Sequence, residues 1–129
     1  MYKIREVARM AHVSPRALRH YDDIGLLRPD FTSPAGYRLY SEATAQRLRE
    51  ILFYKAVGFD LMEIKDLLQQ STEERRSQLI SRRQRVTDAR QHLQKVIQAM
   101  DVALDDLQDG KIPLYQSLCT HLKTEERND

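Results

Sequence analysis

Val13-Ser-Pro-Arg-Ala-Leu-Arg-His-Tyr-Asp-Asp-Ile-Gly-Leu-Leu-Arg-Pro29 is the stretch on which the fold turns. Ser14 is a good N-cap, because its hydroxyl oxygen can accept one of the orphan N–H groups of a first turn. Pro15 suits the first helical position, where its missing N–H costs nothing. Ala17, Leu18, Tyr21 and Ile24 then recur on one helix face, and Gly25 marks the stop. A helix to about Asp23 follows. Upstream, Ile4, Val7, Ala8 and Ala11 share that period, so a second short helix is expected over 4–11, with His12-Val13 as a tight turn. Two short helices joined by so short a turn make a helix-turn-helix over residues 4–23.

Residues 26–40 break the helical period with Pro29, Pro34 and Gly36. Leu27 and Tyr37-Arg38-Leu39-Tyr40 favour strands around a turn-rich tip, which predicts a two-stranded wing with Leu39 alternating inward. Ser41 caps a third helix, which Leu48, Ile51, Leu52, Tyr54 and Lys55 carry over 41–57 to Gly58. Asp60 caps a fourth over 60–70, where Leu61, Ile64, Leu67 and Leu68 share a face. Residues 1–70 thus read as a winged helix-turn-helix head.

The last third differs in kind. No Gly or Pro occurs from Thr72 to Asp109, and Leu79, Val86, Leu93, Met100 and Leu107 fall every seven residues. Ile97 and Leu104 fill the second seam position, four residues past Leu93 and Met100, where Arg83 and Arg90 stand earlier. A seam of period 3.5 indicates a coiled coil, and one helix of ~57 Å cannot bury its own stripe. Residues 72–109 are therefore expected to pair with a second copy. Gly110 and Pro113 end the helix. Residues 110–129 read as a short tail, with an apolar patch at Leu114, Tyr115, Leu118 and Leu122 and a polar end from Lys123 that frays. The fold class is mainly α.

Charge supports this division. Residues 1–58 carry ten Lys/Arg against six Asp/Glu, whereas residues 59–108 carry eight against nine. The basic surplus sits in the head, a modest footprint for a polyanion partner. A mean hydropathy of -0.62 with 31% charged residues suits wet helix faces. No apolar run approaches the ~18 residues needed to span a bilayer, and Lys3, Arg5 and Glu6 interrupt any signal peptide. The single cysteine, Cys119, cannot form an intrachain disulfide, so a reducing cytoplasm is the simplest home. No phosphate-binding Gly loop, carboxylate pair or Ser/His/Asp set is present, which argues against an enzyme and calls for no cofactor.

The quoted stretch resembles the DNA-reading motif of the MerR family of transcription regulators. The resemblance continues through Ala35-Gly-Tyr-Arg-Leu-Tyr-Ser41, Leu48-Arg-Glu-Ile-Leu-Phe-Tyr-Lys-Ala-Val-Gly-Phe59 and Leu61-Met-Glu-Ile-Lys-Asp-Leu-Leu68, covering roughly residues 1–109. Text such as Ile51-Leu-Phe-Tyr-Lys55 is most similar to the branch of multidrug and antibiotic sensors (the Mta, TipA and BmrR type). The resemblance implies homodimers joined through antiparallel long helices, each head placing its second helix in a major groove. It also implies an effector-dependent activator that kinks and untwists an overlong promoter spacer so that RNA polymerase engages both elements, a readout by deformation.

Candidate DNA contacts follow. Arg16 and Arg19 lie on the outer face of the second helix, where Arg can grip guanine bidentately, and Ser14 stands beside them; the alternative is a solvated basic face. His20 and Tyr21 match an aromatic pair that the family sets against the sugar-phosphate backbone, and Tyr21 reads equally as core. Tyr37, Arg38 and Tyr40 belong to the wing, with Arg38 resembling the family's phosphate-gripping arginine. Lys55 either reaches phosphate or is simply solvated. Cys119 and His121 are weak candidates for a metal or electrophile sensor, because soft-metal sites want at least two thiolates; a structural thiol is the plainer reading. Leu114, Tyr115 and Leu118 suit either a small apolar effector or packing against the partner chain. The chain is either the N-terminal part of a longer protein or a short member of the family. The rival function is a helical dimerisation module that does not touch DNA.

Overall fold

The computed structural model describes residues 1–126, as β1 (Tyr2–Lys3), α1 (Ile4–Ala11), α2 (Pro15–Asp23), β2 (Phe31–Thr32), β3 (Arg38–Tyr40), α3 (Glu42–Ala56), α4 (Leu61–Leu68), α5 (Thr72–Gln108) and α6 (Tyr115–Glu126). The chain divides into two compact units, Met1–Thr72 and the residues from Glu73 onward.

In the first unit, local chemistry sets the helix ends. Ser14 Oγ accepts the Ala17 N–H at 3.0 Å with Pro15 opening α2, and Ser41 Oγ accepts the Thr44 N–H at 3.2 Å at the start of α3. Asp60 and Glu63 cap α4 reciprocally: Asp60 Oδ1 accepts the Glu63 N–H at 2.8 Å, and Glu63 Oε1 accepts the Asp60 N–H at 2.9 Å. α1 closes on His12 at φ 56°, a left-handed C-cap held by a non-glycine residue, and the Val13 N–H returns to the Ala8 carbonyl at 3.0 Å. That bond turns the chain sharply enough to start α2 two residues later.

One core unites these elements. Val7 of α1, Leu18 of α2, Tyr40 of β3, Leu48 and Ile51 of α3 and Ile64 of α4 are the largest fully buried side chains. Truncating such a Leu or Ile to Ala typically costs about 2–5 kcal/mol through lost transfer energy and a residual cavity. Lys65 of α4 ties the elements further by donating from Nζ to the Ile24 carbonyl at 3.0 Å, just past the end of α2.

The wing differs from expectation in three ways. It is a three-stranded antiparallel sheet in the order β1-β3-β2, with Tyr2 opposite Tyr40, Lys3 opposite Leu39 and Phe31 also opposite Leu39. Leu27 lies in no strand; it is buried in the core beside Leu26, and strand pairing begins only at Phe31. Parity is reversed as well: Tyr40 is the buried residue of β3 and Leu39 is half-exposed. Alternation fixes that neighbours face opposite ways, but contact with the helices decides which way.

In the second unit, α5 is a single 37-residue helix without one buried residue. Its seam is bare: Val86, Leu93, Ile97, Met100, Leu104 and Leu107 are all more than half exposed, and Leu79 is half-buried. Residues 115–126, expected as a tail, form α6. Leu114, Leu118 and Leu122 recur every four residues, the spacing of a helix face, and Leu118 and Leu122 are half-buried. The backbone is therefore helical to Glu126, where fraying from Lys123 was expected, and residues 127–129 lie outside the described residues. No helix among the described residues is long and apolar enough to cross a membrane.

Candidate nucleic-acid interface

The site is built on α2. With Leu18 and Tyr21 buried, the opposite face carries Arg16, Arg19 and His20 into solvent, all exposed. Capping by Ser14 leaves its hydroxyl hydrogen free to donate outward while its oxygen holds the first turn. Arg16 lies in that first turn, the part of a recognition helix that reaches base edges.

The wing is fastened to this helix by charge. Arg38 Nε donates to Asp22 Oδ2 at 3.1 Å, and the two side chains are 33% and 20% exposed. The guanidinium is held at one nitrogen only, so its terminal N–H groups face partly into solvent. Tyr37 is exposed, and Lys3 Nζ sits 5.5 Å from the centre of its ring. On the far side of the sheet, Tyr2 Oη donates to Glu42 Oε2 at 2.7 Å, which raises the pKa of the phenol and pins β1 to the first turn of α3.

Two candidates are corrected. Tyr40 is 0% exposed and its hydroxyl has no hydrogen-bond partner among the described residues, so the side chain belongs to the core and cannot reach DNA from this position. Burial pushes its phenol pKa up. Tyr21 is 2% exposed, which favours its core reading over a face-on contact with the sugar-phosphate chain. Its ring lies 6.5 Å from that of His20, tilted by 49°, so the exposed imidazole rests beside a fixed aromatic support. Lys55 is exposed in the last turn of α3, where a cation complements the carbonyl end of the helix.

The structure also gathers residues that sequence reasoning passed over. Lys3 and Arg5, noted only as interrupting a signal peptide, line an open groove of about 630 Å³ together with Ile4, Glu6, Arg19 and Tyr37. Two cations ahead of the first helix were the available hint. The pairing of β1 with β3, which brings them to the wing, has no local signal in two residues.

In the second unit, Cys119 is exposed and free, and His121 is exposed. No group of three or more His, Cys, Asp or Glu side chains able to share a metal ion occurs among the described residues. Leu118 and His121 of α6 meet Lys95, Gln98, Ala99 and Val102 of α5 around a pocket of about 180 Å³, whereas Leu114 and Tyr115 stay in solvent.

A capped second helix with a free basic face, a wing tied to it and a bare seven-residue seam form a recurrent combination. The family model described as MerR HTH family regulatory protein matches residues 2–71, and the model described as MerR, DNA binding matches residues 45–109. The chain belongs to the MerR family. The HTH-type transcriptional activator mta of Bacillus subtilis is 40% identical over 110 residues, covering 85% of this chain and 43% of the relative. The HTH-type transcriptional activator TipA of Streptomyces coelicolor is 40% identical over 104 residues, covering 81% and 41%. The crystal structure of MtaN, the N-terminus of the Bacillus subtilis multidrug transporter activator, superposes with a TM-score of 0.73 at 41% identity, covering 81% of this chain and 98% of that one. This MerR chain therefore spans about two fifths of the length of the two named activators.

Proposed function

We propose that this MerR-family chain is a sequence-specific DNA-binding transcription regulator that acts as a homodimer in the cytoplasm. The observation that carries the reading is the free basic face of α2, with Arg16 in its first turn and the Arg38 wing fastened beside it through Asp22. In this reading α2 enters the major groove. Arg16 contacts a base edge or phosphate, with Ser14, Arg19 and His20 beside it, and Tyr37 and Arg38 take backbone phosphates. Lys55 adds a further phosphate contact from α3.

Two heads act together because α5 exposes an apolar seam from Leu79 to Leu107 that only another chain can cover. An antiparallel partner helix sets the two recognition helices at a fixed separation, so a promoter spacer of the wrong length must bend or untwist to meet both. That deformation realigns the polymerase elements, so RNA polymerase is engaged through the DNA. Two of the relatives are named transcriptional activators, which favours activation. A small apolar effector would bias the dimer between relaxed and distorting states, and the residues around Leu118 are the candidate contact.

Gel retardation with a promoter duplex across a salt series tests the reading. Specific retardation that weakens steeply with salt is expected. Replacing Arg16 with Ala should relax sequence preference, and an unchanged preference removes Arg16 from base reading. No retardation of any duplex leaves the dimerisation module as the surviving function.

A further inference from the structure

The groove between β1, the start of α1, α2 and the wing holds three cations and one carboxylate. Lys3, Arg5 and Arg19 line it together with Glu6, and none of the three cations forms an ion pair among the described residues. Glu6 does not neutralise them fully, because its Oε1 already accepts the Lys3 backbone N–H at 2.9 Å to cap α1. Elsewhere in the head, guanidinium groups are matched: Arg38 by Asp22 at 3.1 Å and Arg49 by Glu42 at 3.7 Å. A cluster of unpaired like charges repels itself in the free protein and is relieved when a polyanion enters. The cluster is also ordered. Register places Lys3 opposite Leu39, and its ammonium sits 5.5 Å from the Tyr37 ring centre, so strand pairing and a cation–π contact both steer it into the groove.

We propose that Lys3 and Arg5, with Arg19 and Tyr37, form a phosphodiester-binding site that clamps the DNA backbone beside the base-reading face of α2. The site rests on the DNA-binding reading above and extends it to the first residues of the chain. Its chemistry is that of a backbone clamp: point charges with one aromatic wall hold a phosphate whatever the base attached to it. Arg19 links it to the neighbouring contact of Arg16, three residues earlier on the same helix.

The test measures binding of the full chain to its operator duplex and to a scrambled duplex across a potassium chloride series, for wild type and for the double variant Lys3→Ala, Arg5→Ala. Both residues are exposed, and circular dichroism of the variant should match wild type. The double variant should weaken both duplexes by the same factor, keep their ratio, and flatten the slope of log affinity against log salt by about two, at ~0.9 per phosphate released. Lys3→Arg, which keeps the charge, should restore one of those two contacts in the Arg5→Ala background. An unchanged slope, or a loss confined to the operator, overturns the clamp while leaving the DNA-binding reading intact. A wild-type chain that retards neither duplex overturns both.

Discussion

Arg38 of the wing donates from Nε to Asp22 Oδ2 at 3.1 Å, so the last turn of the second helix and the central strand of the sheet are held by one ion pair. Because the two side chains are 33% and 20% exposed, water screens the pair and its worth is about 0.5–1 kcal/mol. Urea unfolding of Asp22→Ala, Arg38→Ala and the double variant should show that the second substitution adds almost nothing to the first. Fully additive losses would mean that the contact carries no coupling energy.

Asp30 holds the start of α3 from outside the helix. Its Oδ2 accepts the Ser41 N–H at 2.6 Å and its Oδ1 accepts the Ser41 hydroxyl at 3.0 Å, and these bonds, the backbone one foremost, lower its pKa from 3.8. A depressed carboxylate stabilises the fold above its unfolded pKa, and the contribution disappears as pH falls through the folded value. Asp30→Asn should therefore lose less stability than wild type between pH 5 and acid conditions, read as unfolding midpoints. Parallel midpoint curves would contradict this.

Tyr40 carries a hydroxyl that is fully buried and unbonded among the described residues. A buried polar group without a partner is a penalty in the folded state, so removing it costs little. Tyr40→Phe should melt at or above the wild-type temperature, whereas Tyr40→Ala should lose about 3–5 kcal/mol by opening a cavity. A clear drop in the Phe variant would reveal a partner for that hydroxyl.

Gly25 sits at φ +72°, and a Cβ there would lie 3.3 Å from both Arg28 Nη2 and Lys65 Nζ. Backbone strain alone makes Gly25→Ala destabilising by about 1–2 kcal/mol. It should also loosen the Lys65 bond to the Ile24 carbonyl. A thermal scan in which the Ala variant matches wild type would refute the requirement for glycine.

Ile97 and Leu104 are 51% and 62% exposed on α5 and lie in the same seam. Replacing both with Glu should convert a dimer to a monomer in sedimentation velocity while the head keeps its own melting transition. Persistence of the dimer would show that the chains pair through another surface.

Period and punctuation determined the helices. Ser14, Pro15, Ser41 and Asp60 announce their own helix starts, because a cap acts within one turn and needs no distant partner. The seam of α5 was legible for the same reason, since a seven-residue spacing needs only neighbours along one helix. α6 went unread until the i, i+4, i+8 leucines were seen on a helix. Tertiary structure decided the rest. Tyr40 and Leu39 exchanged their expected faces, and Lys3 and Arg5 moved from the margin of the chain to the wall of a basic groove, because strand pairing across nearly forty residues set both outcomes. A strand of two or three residues carries too little pattern to name its partner or its inner face. Only packing against α2 and α3 supplies that choice.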